Sequence, residues 1–106
     1  MATGRLGTAN LVAATNTVVY TCPTGNFAVA TLSICNRSNS AITCRVSLST
    51  TSTPTADEWI EYDTEVLPKG VLERTGLVLQ AGLNLIVYSS TANVSAVALG
   101  IETPTA

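Results

Sequence analysis

Apolar and polar side chains alternate along most of this chain with a period of two. In the clearest run, residues 42–49, Ile42, Cys44, Val46 and Leu48 fall on one side and Thr43, Arg45, Ser47 and Ser49 on the other. That is the signature of a half-buried strand. Residues 83–90 and 94–102 behave alike, with Leu83, Leu85 and Val87 aligned in the first and Val97, Leu99 and Ile101 in the second. A hairpin across Thr91-Ala92-Asn93 is expected to join them. Apolar positions never recur at the three-and-four spacing of a helix, while β-branched residues recur throughout.

The pattern predicts strands near residues 8–13, 17–22, 27–36, 42–49, 58–66, 71–79, 83–90 and 94–102. Between them, Pro23-Thr24-Gly25-Asn26, the segment from Asn36 to Ser40, Pro68-Lys69-Gly70 and Ala81-Gly82 supply turn residues. Seven to eight short strands at this spacing describe a single antiparallel β-sandwich, all-β, either immunoglobulin-like or jelly-roll. The predicted organisation is a flexible N-terminal arm at residues 1–7, a sandwich domain at 8–102 and a C-terminal tail at 103–106. Residues 49–57, rich in Ser and Thr, are too polar for a sheet and predict a long exposed loop, a usual place for partner contacts.

Composition changes the picture in one respect. Hydrophobic residues make up 46% of the chain and charged residues 11%, against roughly 25% charged in an average soluble protein. A surface so poor in charge lacks the repulsion that keeps monomers apart, which points to packing against other subunits. The net charge of −2, with Arg5, Arg37, Arg45, Lys69 and Arg74 scattered, argues against nucleic acid, whose phosphates need clustered cations. No apolar run has the length of a signal sequence or a membrane span, so the expectation is folding in a cytosol and no membrane partner. The three cysteines, Cys22, Cys35 and Cys44, lack metal-ligand spacing, and the chain has no histidine. Reduced, buried thiols are expected. The alternative is a late disulfide between Cys35 and Cys44, which flank a predicted hairpin turn.

Without histidine, the usual base for a Ser or Cys nucleophile is missing. Asp57, Glu58, Glu61, Asp63 and Glu65 cluster around Trp59 and Tyr62. In a regular strand Glu61, Asp63 and Glu65 share one solvated face, with Ile60, Tyr62, Thr64 and Val66 on the other. Pairing with Arg74 and Lys69 explains these acids more simply than catalysis or calcium binding. No catalytic residue, metal ligand or cofactor is therefore assigned, and the expectation is a non-enzyme. The candidate partner-binding residues are Arg5 and Leu6 in the N-terminal arm, Thr53 and Pro54 in the polar loop, and Trp59 beside it, since Trp dominates binding hot spots.

The segments Gly4-Arg5-Leu6-Gly7, Val19-Tyr20-Thr21-Cys22-Pro23, Ile34-Cys35-Asn36-Arg37, Glu58-Trp59-Ile60-Glu61-Tyr62-Asp63 and Gly100-Ile101-Glu102 resemble small virion structural proteins of tailed phages, cyanophages among them. The resemblance implies a protein of the virion, assembled in the host cytoplasm. It implies capsid decoration or cement, with the chain associating with itself as a trimer or dimer and binding the major capsid protein. A tail, baseplate or fibre component bound to tail proteins is the alternative. A free carbohydrate-binding module is a further one, disfavoured because five aromatic residues leave few once a core is filled.

Overall fold

The inner strands of this protein each have one side that is dry, the edge strands only part of one, and the dry sides of two sheets close on each other. The computed structural model describes residues 3–105. The chain runs β1 (Thr3–Leu11), β2 (Thr17–Thr21), β3 (Asn26–Asn36), β4 (Ile42–Ser49), a 3-10 turn (Ala56–Glu58), β5 (Trp59–Val66), β6 (Val71–Leu79), β7 (Asn84–Ser89) and β8 (Val94–Pro104). Two four-stranded antiparallel sheets have the orders β1-β8-β3-β6 and β2-β7-β4-β5. β4 and β5 are the only consecutive strands that pair; every other connection crosses between sheets. This is the double Greek-key wrapping of a jelly roll, which decides between the two sandwiches the sequence allows.

The crossings correct two local expectations. The hairpin across residues 91–93 does not form, because β7 and β8 belong to opposite sheets. Leu85 and Val87 bury themselves by facing Val94, Ala96 and Ala98 across the sandwich, not by lying beside them. For the same reason the turn after β3 is a crossover. Its hinge is Asn36, fully buried, whose Nδ2 donates to the carbonyls of Ser40, Val66 and Leu67 at 2.8, 3.2 and 3.1 Å. Cys35 therefore lies on one sheet, half-buried, and Cys44 on the other, facing the core, and neither is in a disulfide. Burial pushes the Cys44 thiol up to about 11, so it stays protonated at neutral pH.

The N-terminus is also corrected. Residues 3–7, expected in a flexible arm, are strand β1, paired with β8 from Thr3 opposite Ile101 to Leu11 opposite Val94. Gly7 allows this edge to lie against β2, since a Cβ there would fall on the carbonyl oxygen of Val19. At the other end, residues 103–104 of the expected tail complete β8, and the Thr105 N–H donates to the Gly25 carbonyl at 3.0 Å. Residues 1–2 and 106 lie outside the described residues.

Candidate interaction surfaces

The side chains of β3 and β8 are distributed against the usual rule. On β3, Ala28 and Ala30 face the core while Phe27 and Val29 face solvent; on β8, Ala96 and Ala98 face the core while Leu99 and Ile101 face solvent. The reading of Val97, Leu99 and Ile101 as one aligned set holds, but the set points outward. Cross-strand pairing gathers these residues. Val29 stands beside Ile101 on one side and Val78 on the other, Thr31 beside Leu99, and Phe27 beside Thr103. Phe27, Val29, Val78, Leu99 and Ile101 are 37%, 40%, 60%, 43% and 48% exposed. They form one apolar patch on the outer face of the β1-β8-β3-β6 sheet. Arg5 lies at its margin, exposed and opposite Leu99. Leu6, its predicted companion, is the extra residue of a β-bulge and packs against the core.

The outer face of the other sheet is built differently. Along β5, two β-bulges interrupt the pairing with β4: Tyr62 and Asp63 together oppose Arg45, and Ile60 is inserted between Glu61 and Trp59. Asp63 absorbs the first in the left-handed region, at φ 54°. The bulges overturn the expected alternation. Tyr62 and Asp63 both stand over Arg45, whose guanidinium bonds Asp63 at 2.7 and 3.3 Å. The same group stacks 4.2 Å from the Tyr62 ring centre and 4.6 Å from that of Tyr88. Trp59 meets Tyr62 edge to face at 5.6 Å between ring centres. Trp59, Tyr62 and Ala56 line an open cavity of about 410 Å³.

The polar loop after β4 is exposed but internally bonded. Thr51 Oγ1 donates to the Thr53 carbonyl at 2.9 Å, and Asn84 Nδ2 donates to the Thr51 carbonyl at 3.2 Å. The Thr55 N–H donates to the Glu58 carboxylate at 2.8 Å, and the Thr55 hydroxyl to Asp57 at 2.5 Å. The bond from the Thr55 backbone lowers the Glu58 carboxyl below its ordinary range, and the bond from the Thr55 hydroxyl does the same for Asp57. Thr53 is exposed and Pro54 half-buried in this loop, and Trp59 follows it at the start of β5. The structure thus keeps Thr53, Pro54 and Trp59 on one side of the molecule and Arg5 on a different sheet.

No family model, curated protein or solved structure matches the chain. The side chains carry the functional argument by themselves. Four of the five acids that looked like a constellation divide among three partners: Glu61 with Arg74 at 2.7 Å, Asp63 with Arg45, and Asp57 and Glu58 with Thr55; Glu65 is exposed on β5. Pairing of Glu61 with Arg74 is as expected, but Lys69 donates instead to the Arg37 carbonyl at 2.8 Å. Among the described residues, no group of three or more Cys, Asp or Glu side chains converges as a metal site. Sequence reasoning passed over the Phe27, Val29, Val78, Leu99 and Ile101 patch. Its signal was present in the unbroken apolar runs Phe27-Ala28-Val29-Ala30 and Val97-Ala98-Leu99, which place apolar residues on both sides of a strand.

Proposed function

We propose that this protein is a non-enzymatic structural subunit of a virion. In this reading it associates with itself through the apolar face of its β1-β8-β3-β6 sheet and docks as an oligomer on an assembled shell, as a decoration or cement protein. The observation that carries the proposal is the inversion at one end of β3 and β8, where Ala28, Ala30, Ala96 and Ala98 face the core and Phe27, Val29, Leu99 and Ile101 face outward, while Leu32, Ile34 and Val94 keep the usual order towards the other end. Core packing gives no reason for that arrangement, and a second packing surface does. Four strands about 4.8 Å apart, and β3 eleven residues long at about 3.3 Å each, give the whole outer face of the sheet, polar positions such as Thr31, Ser33 and Ser95 included, an outline on the order of 700 Å². A standard interface buries about 800 Å² on each partner. Few charges on the molecule oppose such an approach.

Shell binding then stabilises the particle by mass action, since a subunit bound across a junction favours the assembled state. The resemblance to small tailed-phage proteins supplies the virion context. Quantitative mass spectrometry of purified particles tests it. Copies in a simple ratio to the major capsid protein are the expected result. A few to a few dozen copies would instead assign the chain to the tail, baseplate or fibres.

A further inference from the structure

We propose that the cavity beside Trp59 and Tyr62, on the outer face of the β2-β7-β4-β5 sheet, binds a saccharide ring. The first support is how the aromatic residues are used. The chain has one Trp, one Phe and three Tyr, yet only Tyr20 is buried in the core, which is otherwise aliphatic and small. Trp59, Tyr62 and Tyr88 are gathered on one outer face, so the expectation that the core would exhaust the aromatics fails. The second support is the pair of bulges in β5. In an uninterrupted strand, residues 59 and 62 point to opposite faces; here both rings line one cavity. Bulges that re-aim side chains recur next to binding sites.

The chemistry selects the ligand class. A ring face carries partial negative charge and attracts the polarised C–H groups on one side of a pyranose, while the sugar hydroxyls need hydrogen-bonding groups at the rim. Thr55 and Asp57, the chain neighbours of Ala56, are exposed; the Thr55 hydroxyl donates to Asp57, whose carboxylate keeps further acceptor capacity for a hydroxyl at the rim. The cavity, about 410 Å³ and open to solvent, has room for one ring resting against the aromatic pair. Arg45 lies over one face of the Tyr62 ring at 4.2 Å, so a cationic guest would meet a like charge beside the site, whereas a neutral sugar stacking on the rest of the aromatic pair would not. A proline-rich peptide needs a longer groove of aromatic slots than this single pair provides. Since the site lies on the sheet opposite the apolar face, it stays open when that face is covered. An assembled array would present many copies, so weak single-site binding would be multiplied by avidity.

Trp59 is the sole tryptophan, so its emission reports directly on the cavity. Intact protein is screened on a glycan array, and the strongest ligands are then titrated while Trp59 fluorescence is followed. The expected result is a saturable emission change, with binding about ten-fold weaker in Tyr62→Ala and largely kept in Tyr62→Phe. Tyr62 is 58% exposed, so its removal is expected to leave the melting temperature nearly unchanged. Absence of binding on the array together with an unresponsive Trp59 would overturn the proposal. So would binding indifferent to Tyr62→Ala, or a cavity that takes proline-rich peptides and no glycans.

Discussion

Ser47 shows how closely the outer layer of the β2-β7-β4-β5 sheet is packed. It faces away from the core, in a row with Val18 and Ile86 on one side and Trp59 on the other, yet it is fully buried. Its hydroxyl has no hydrogen-bond partner among the described residues. A buried unsatisfied hydroxyl costs free energy, so Ser47→Ala is expected to stabilise the protein by about 1 kcal/mol in a denaturant titration. A clear loss of stability would mean that the hydroxyl is bonded in solution. Asp57 and Glu58 give a second prediction at this scale. Both have lowered folded-state values relative to the ordinary 3.8 and 4.5. Their stabilising effect is therefore complete above that range and is lost as pH falls through the lowered values. Trp59 follows the turn they hold, so its emission should change as the solution is acidified below about pH 4. Glu58→Gln, which keeps an acceptor but removes the titration, should reduce that change. An acid transition identical in the variant would detach Glu58 from it.

Among the elements, all eight strands were legible in the sequence, because Ile42, Cys44 and Val46, or Leu85 and Val87, bury through an alternation that a single strand already displays. Partners were not legible. Whether residues 83–90 pair with residues 94–102 or face them across a core depends on where the crossovers lie, and Leu85 is apolar on one side in either case. The β5 bulges were hidden too, since Tyr62-Asp63-Thr64 alternates like a regular strand until Arg45 draws Tyr62 and Asp63 to the same face. Of the predicted contact residues, Arg5 is at the edge of the apolar patch and Trp59 lines the cavity, whereas Leu6 is drawn inward by a bulge that only pairing with β8 reveals. Cysteine accessibility checks the placement of β3 and β4 in separate sheets. Cys35 is half-buried, while Cys22 and Cys44 are 1% and 0% exposed. Under native conditions a thiol reagent is expected to label Cys35 far faster than the other two, and all three after denaturation. Equal native labelling, or a Cys35–Cys44 disulfide in a peptide map, would contradict the two-sheet assignment.

For the whole molecule, the two outer faces differ in character. One carries an apolar patch of five residues set among polar side chains, suited to another protein surface. The other carries a cation clamped between two tyrosines and an open aromatic cavity. Both follow from one allocation of side chains: the core takes alanines and aliphatics, leaving Phe27, Leu99 and Ile101 for one exterior and Trp59, Tyr62 and Tyr88 for the other. Covering a half-exposed Val or Ile contributes on the order of 1 kcal/mol, so the patch has enough apolar area to drive association when the two surfaces are complementary. A carboxylate in its centre should abolish that gain without touching the core. The measurement that tests this most directly is molar mass by light scattering at micromolar concentration, for the native protein and for the double variant Val29→Asp, Ile101→Asp. The account predicts a dimer or trimer for the native chain and a folded monomer for the variant; a monomeric native chain, or an oligomer that survives both substitutions, would contradict it.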